Sequence, residues 1–410
     1  MKRIAVIGSG ISGLAAAYFL SRKHEVWVFE REERLGGHTN TVTVDSGAGP
    51  LAVDTGFIVH NERTYPNFCR LMGELGVGTQ ESDMSFAVTS PGGAFEYSSR
   101  GARGFFAQGR NLVRPSHYAL FREIVRFNRE APLLEDDVTL AEFLERGRYD
   151  ARFIERYLFP MASAIWSMPQ DELGGFPALT MIRFFRNHGM LGINTHPKWK
   201  TIRGGSNRYI EPLTRPFRER IVAGVEIAGV TRTDRGVRVD LRGRPSREFD
   251  DVVFGCHGNQ ILPLLTNPND PEREILANFT TTRNDACLHT DSRLLPRRRA
   301  ARASWNYLIG DGGQVTMTYH MNRLQSLAAP ENFCVSLNAN GSVARERTIR
   351  RFTYFHPLFH RAAVRAQERW PEISGRDRVH YCGAYWFYGF HEDGVRSGLR
   401  VAESLGAGWN

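Results

Sequence analysis

Long apolar runs are the first thing this sequence lacks. No stretch of about 18 apolar residues occurs, so no membrane-spanning helix is expected. The N-terminus, MKRIAVIGSG, reaches glycine too soon to hold a secretory signal core. Cysteine is also scarce. Five occur, at 69, 256, 287, 334 and 382, an odd number with no CxxC pair. Buried thiols in a reducing compartment are the expectation: a cytoplasmic protein, at most peripheral on the inner face of the cell membrane. No nucleic-acid recognition module is present. Internal repeats and low-complexity linkers are missing too.

Positive charge, by contrast, is plentiful. Lys and Arg total 53 against 44 Asp and Glu, a formal net charge of +9 on a chain that is 41% hydrophobic. By itself this favours any anionic partner, whether nucleic acid, a phospholipid surface or an acidic substrate. At 410 residues two interleaved domains are expected rather than one core.

The first thirty residues carry the clearest chemistry. Ile4 to Ile7 is wholly apolar, as suits a strand buried on both faces of a parallel sheet. Gly8, Gly10 and Gly13 follow as GxGxxG. Residues 11–22 then read as an alanine-rich helix, and a second apolar run, Val26 to Phe29, ends in Glu30. In that context the glycines allow a tight turn and close approach to a pyrophosphate. The helix N-terminus faces the phosphates, and Glu30 holds a ribose hydroxyl. RLGGHTNTV resembles the Gly-Gly element that FAD proteins of the glutathione-reductase-like class carry soon after the second strand, which implies FAD over NAD; without side chains at Gly36 and Gly37 the backbone could pass close to the flavin end. Ser12, Arg31 and His38 join these as cofactor candidates. VDTGFIVH adds Asp54, Gly56 and Phe57, although Asp54 is equally suited to capping a turn.

Beyond residue 60 the pattern changes. Residues 1–63 form the first part of an FAD-binding domain, and 64–200 read as a mostly helical region facing substrate or membrane. Residues 201–270 return to the first domain through a meander that ends in the apolar strand Val252 to Phe254. Residues 271–378 form the second part of a substrate domain, and 379–410 re-enter the first. The fold class is α/β: a Rossmann-like, glutathione-reductase-like FAD domain with an interleaved α+β substrate domain. Within 104–130, Phe121, Ile124, Val125 and Phe127 fall near helical spacing, with Arg122, Arg126 and Arg129 between them. That suits a helix lying on an anionic membrane, or equally a surface helix packed on the core. PRRRAAR at 296–302 is a phospholipid contact or a solvated loop.

Taken together, VIGSGISGLAAAYFL, VFEREERLGGHTNTV, VDTGFIV, FDDVVFGCHGNQILPLL and CGAYWFYGFHEDGVRSGLRVAESL resemble the flavin amine oxidase and phytoene desaturase superfamily over nearly the whole chain. GFIVHNERTYPNF, ESDMSFAV, PMASAIWSMP, FFRNHGML, ASWNYL and YGFHEDG are similar to the oxidoreductase segment fused to plant cyclopropane fatty-acid synthases. Stand-alone bacterial relatives of that segment are linked to methylated, furan-type fatty acids. The chain differs from the fusion in lacking a methyltransferase part. It differs from amine oxidases in carrying His38 where Arg often follows the glycine pair, and in having no clear equivalent of their flavin-contacting Lys.

The resemblance implies an FAD-dependent oxidoreductase that removes hydride from a fatty acyl chain. That chain would be phospholipid-linked and methyl-branched or unsaturated, and the reaction a desaturation, with a lipid methyltransferase as partner. The alternatives are a carotenoid or polyprenyl desaturase or isomerase, and a flavin-bearing, non-catalytic methyltransferase partner. The E-D-G element of Glu392, Asp393 and Gly394 would start a helix aimed at the FAD, with plain N-capping as the other reading. Val225, Gly383 and Tyr388 complete the cofactor set. His391, His320 and His188, with His60 behind them, are candidates to move a proton, although any lone His can be structural. Trp166, Met168, Phe184, Trp305, Tyr319, Tyr385 and Trp386 would line an apolar tunnel, with core packing as the alternative for each. Acyl length, bond position, electron acceptor and oligomeric state are left open.

Overall fold

The structure, a computed structural model, describes residues 1–47, 49–192, 195–310, 315–339 and 341–409. Strand β1 (Arg3–Ile7), helix α1 (Ile11–Leu20) and strand β2 (Glu25–Phe29) follow the apolar–glycine–alanine–apolar order of the sequence. The strands lie parallel, with Val6 opposite Val28. Ala15, Ala16 and Ala17 are fully buried, because only small side chains let α1 lie this close to the sheet.

The chain then leaves this layer. It forms α2 (Pro66–Glu74), a hairpin of β3 (Phe86–Thr89) and β4 (Glu96–Ser98), then α3 (Pro115–Glu130), α4 (Phe159–Trp166) and α5 (Ala178–Asn187). It returns through β5 (Ile221–Val222), an antiparallel meander of β6 (Ile227–Arg232), β7 (Val237–Leu241) and β8 (Arg247–Phe249), and the buried β9 (Asp251–Phe254). A second excursion supplies β10 (Thr281–His289), β11 (Trp305–Ile309), β12 (Val315–His320), β13 (Cys334–Leu337) and β14 (Thr348–Pro357). The chain closes with β15 (Val379–Tyr381) and α6 (His391–Ser404).

Two sheets result. The first is five-stranded and wholly parallel, in the order β5-β2-β1-β9-β15. The second has seven strands in the order β14-β10-β13-β12-β11-β3-β4. The β3–β4 hairpin falls in the region expected to be mostly helical, and it joins the second sheet with Phe86 beside Trp305. FAVT is a short, β-prone apolar run, and Gly92 and Gly93, both at positive φ, make the turn; a short strand pair is lost in a helix-rich neighbourhood.

Helix α6 packs on α1 through glycines. A Cβ on Gly398 would sit 2.5 Å from the Ser12 carbonyl oxygen, and one on Gly394 would sit 2.6 Å from Ile11 Cγ2. Val6, Val28 and Val253 are fully buried between the layers, each contributing about 1.5–3 kcal/mol. Among the described residues, no helix is long and apolar enough to cross a membrane.

Candidate functional site

A continuous cavity of about 1660 Å³ opens at the carboxyl ends of the parallel strands, where ligands of such sheets bind. Its wall takes Gly8 after β1, Glu30 after β2, Gly255 after β9 and Gly383 after β15. It then runs on into the space under the second sheet. One drug-sized ligand occupies roughly 300–1,000 Å³, so this cavity has room for a dinucleotide and a second molecule.

The sheet-side half is built as a phosphate cradle. Gly8 has φ +100°, and a Cβ there would come 3.0 Å from Cys256 N. Gly10 caps α1 without a side chain, leaving first-turn N–H groups for a ligand. A Cβ on Gly37 would meet Gly10 Cα at 3.2 Å, so these two loops close on one another only as glycines. Glu30 Oε2 accepts from the Ser9 N–H at 2.8 Å and the Ser9 hydroxyl at 2.6 Å, and Oε1 accepts from Glu32 N–H at 2.9 Å. A carboxylate has further lone pairs, so ribose hydroxyls can still be held. Ser12, Arg31, Gly36, Gly56, Phe57, Val225 and Tyr388 also line the cavity.

His38 lies in the same wall, and its Nε2 is buried without a hydrogen-bond partner. Its ring stacks on Tyr354 at 5.1 Å and lies near His257 and His356 at 5.8 and 5.2 Å. Burial holds all three imidazoles below their ordinary pKa, and so neutral. A sterically open glycine turn, an uncapped helix start and an orphaned imidazole together fit a bound dinucleotide.

Five cofactor candidates have other tasks. Gly13 lies outside the wall; a Cβ there would overlap the Gly8 carbonyl at 2.0 Å, so it serves the turn itself. Gly394 serves the α1–α6 contact. Asp54 is a structural pin: Oδ1 accepts from the Thr41 hydroxyl at 2.6 Å and Ser206 N–H at 2.8 Å, and Oδ2 from Gln325 Nε2 at 2.9 Å. Glu392 caps α2, accepting from Asn67 N–H at 3.2 Å and Phe68 N–H at 2.9 Å. Asp393 caps its own helix, accepting from Phe390 N–H at 2.9 Å, and burial raises its pKa to about 7. The acids near the start of α6 therefore satisfy backbone donors and do not line the cavity.

The histidines divide. His391 lines the cavity, but its Nε2 lies between the Thr39 and Tyr209 hydroxyls at 3.0 and 3.2 Å. Its ring stacks on Phe57 at 3.6 Å, and burial lowers its pKa to about 3. A neutral, hydrogen-bonded, stacked imidazole positions the loop, and burial makes it a weak base. His188 also lines the cavity. Its Nδ1 donates to the Phe184 carbonyl at 3.0 Å, its Nε2 faces the Thr64 hydroxyl at 3.1 Å, and its pKa falls to about 4 by burial. His320 lies outside, with Nε2 donating to Asn332 Oδ1 at 3.1 Å, and His60 is buried away from the wall.

The far half of the cavity is apolar. Trp166, Phe184, Trp305 and Tyr319 line it, and the indole N–H groups of both tryptophans have no partner among the described residues. Tyr385, expected in this tunnel, lines the sheet-side half instead, packed on Gly383 and on Phe279 at 4.7 Å. Met168 and Trp386 do not line it: Met168 is buried in the core, and Trp386 packs on Phe279 at 4.6 Å. The sequence reasoning missed Tyr157, Met161 and Ile165, which step by four residues along one face of the helical segment. That spacing is legible, but its neighbours are apolar too, so no contrast marks the exposed face. In this half Asp83 is bound by Arg323 at 2.8 Å and the Ser304 hydroxyl at 2.9 Å, and Glu81 is exposed. The one lysine of the described wall, Lys198, is exposed.

Residues 11–320 match the family described as flavin containing amine oxidoreductase. An L-amino-acid oxidase of Sistrurus catenatus edwardsii is 34% identical over 87 residues, 20% of this chain and 16% of its own. Protoporphyrinogen oxidase of Homo sapiens is 30% identical over 159 residues, 35% of this chain and 31% of its own. The matched stretches thus span less than a third of those relatives. Among solved structures, a putrescine oxidase redesigned in cofactor binding superposes with TM-score 0.72 at 16% identity over 98% of both chains. A CLA-producing fatty acid isomerase from P. acnes does so with TM-score 0.67 at 17% identity, also over 98% of both. At such identities the likeness establishes the fold, a mixed α/β flavoprotein architecture with a Rossmann-like core.

Proposed function

Because this chain belongs to the flavin-containing amine oxidoreductase family, FAD is its cofactor, and we propose that it oxidises a fatty acyl chain. The observation that carries the proposal is the apolar chamber joined to the cofactor cradle. Tyr157, Met161, Ile165, Trp166 and Phe184 offer a long hydrocarbon an extended apolar wall. A cationic amine would want a buried carboxylate here; Asp83 is already neutralised by Arg323, and Glu81 is exposed. FAD, when bound, would supply a two-electron acceptor: the hydride of one C–H bond and the proton of the neighbouring carbon would together reduce it, leaving a C=C bond in the chain.

The protein's own contribution is placement and dryness. Gly8, Gly10, Gly36 and Gly37 admit the cofactor, Glu30 holds its ribose, and His38 offers an imidazole to its polar groups. Trp166 and Trp305 set donors in an apolar wall, where a carboxyl or ester oxygen of the substrate would satisfy them. Exclusion of water keeps the reacting carbon away from side reactions. The substrate we favour is a methyl-branched or unsaturated phospholipid acyl chain, as in the modified fatty-acid pathways whose plant and bacterial proteins the sequence resembles, with a lipid methyltransferase as upstream partner.

The test is product analysis. Purified holoprotein is incubated with phospholipids and an artificial electron acceptor, and the released methyl esters are examined by mass spectrometry. The proposal predicts an acyl product lighter by two hydrogens. Unchanged lipids alongside dehydrogenated carotenoid would assign a polyprenyl desaturase instead, and no turnover of either would leave a flavoprotein partner without catalysis of its own.

A further inference from the structure

Helix α3 carries two apolar stripes where a surface helix needs one. Leu120, Ile124 and Phe127 face inward, and Ile124 and Asn128 form part of the cavity wall. Tyr118, Phe121 and Val125 repeat at the same three- and four-residue steps on the other side, where they are 49%, 46% and 43% exposed. Leu112 and Val113, in the turn before the helix, are 55% and 81% exposed. These five are most of the large hydrophobic residues exposed among the described residues. A core-packed helix accounts for the first stripe and leaves the second without a covering layer.

The charges around the outer stripe share one sign. Arg114 caps the helix one turn before Tyr118, and Arg122 lies beside Phe121; with Arg103 all are exposed. The helix's acids are already engaged, Glu123 and Glu130 by Arg126. Arg103, Arg114 and Arg122 make no ion pair among the described residues. The exposed run Arg297 to Arg299 is anchored at the neighbouring β4, where Glu96 accepts from the Arg297 and Arg298 N–H groups at 2.7 and 3.1 Å.

We propose that this face docks on an anionic phospholipid bilayer. Phe121, Val125, Leu112 and Val113 enter the interface, and the arginines meet lipid phosphates. The inner face of the same helix then stands between bilayer and cavity. Phe86 and the exposed Ser99, joined by a backbone bond from Ser99 N–H to the Phe86 carbonyl at 2.8 Å, also line the cavity, so it reaches the surface at that strand end. A lipid's acyl chain enters there, beneath α3, without crossing water. The entry route rests on the acyl assignment made above, whereas docking stands on the surface alone.

Vesicle flotation of the holoprotein tests it, using phosphatidylcholine vesicles with and without phosphatidylglycerol. The protein is expected to float with the anionic vesicles and to stay behind with the neutral ones. Phe121→Asp with Val125→Asp should abolish flotation, and Arg122→Glu should weaken it by at least about fivefold. Both sites are solvent-exposed, so melting temperature and flavin content should match the unaltered protein. Failure of the unaltered protein to float, or flotation that persists in the double variant, overturns the proposal. So does a dimer in sedimentation that the double variant dissolves, since the patch would then cover a second copy. Detergent-dispersed acyl substrates separate the two claims. Flotation without flavin reduction by those substrates removes the acyl assignment and keeps the docking; reduction without flotation does the reverse.

Discussion

His391 shows how a single residue changes meaning once its neighbours are known. Next to a cofactor motif it looks like a proton carrier, but Thr39, Tyr209 and Phe57 surround it, and burial keeps it neutral down to about pH 3. His391→Ala should lower stability by about 2 kcal/mol or more. It should leave the shape of the pH–rate profile unchanged between about pH 5 and 8, where a catalytic imidazole would titrate. A lost inflection in that profile would restore it to the chemistry. Asp393 makes the opposite case. Its pKa rises from the ordinary 3.8 to about 7, by burial first and its neighbour Glu392 second. A raised carboxyl pKa favours the fold at acid pH, and that stability is lost as pH rises through about 7. Asp393→Asn, which keeps an acceptor for the Phe390 N–H, should therefore melt higher than the unaltered protein at pH 8 and differ little near pH 4. Differential scanning fluorimetry at the two pH values decides it.

At the scale of elements, the contact between α1 and α6 holds the cofactor turn in place. Gly398→Val would push a side chain into the Ser12 carbonyl and the Ala16 amide, at 2.5 and 2.8 Å from the new Cβ. A loss of about 3 kcal/mol is expected, with flavin content falling alongside melting temperature because the phosphate-binding turn rides on α1. Normal flavin content would detach that turn from the helix pair. On the substrate side, Met161 lies mid-stripe between Tyr157 and Ile165. Met161→Trp should block the chamber, cutting kcat/KM for long acyl chains by about tenfold while short chains are spared. Equal losses for all lengths would place the chain elsewhere.

The same elements show what a sequence can and cannot carry. Strand, glycine turn, helix and acid of the first thirty residues are local, so their order declares their fold. The meander returning to β9 is local as well. The tasks of Glu392 and Asp54 are not, because their partners, Phe68 N–H and Gln325, lie hundreds of residues away. Trp386 and Met168 fail for a related reason: an aromatic or Met suits a core and a tunnel alike, and only the packing distinguishes them.

For the whole molecule, discontinuity is the organising feature. The parallel sheet is assembled from the start, middle and end of the chain, and the seven-stranded sheet from the excursions between them. The cavity lies where the two meet, so one wall is shaped for a dinucleotide and the other is largely apolar. Net charge of +9 and an exposed apolar stripe on α3 fit a molecule that works at an anionic surface. The central claim is that hydrocarbon, and not an amine, delivers electrons here. Mixing the oxidised holoprotein without oxygen against phospholipids bearing plain, methylated or cyclopropanated acyl chains, and following flavin absorbance, tests it directly. Bleaching by methylated or unsaturated acyl chains, with none by putrescine or an L-amino acid, is the predicted result; bleaching by the amine while every lipid leaves the flavin oxidised would contradict it.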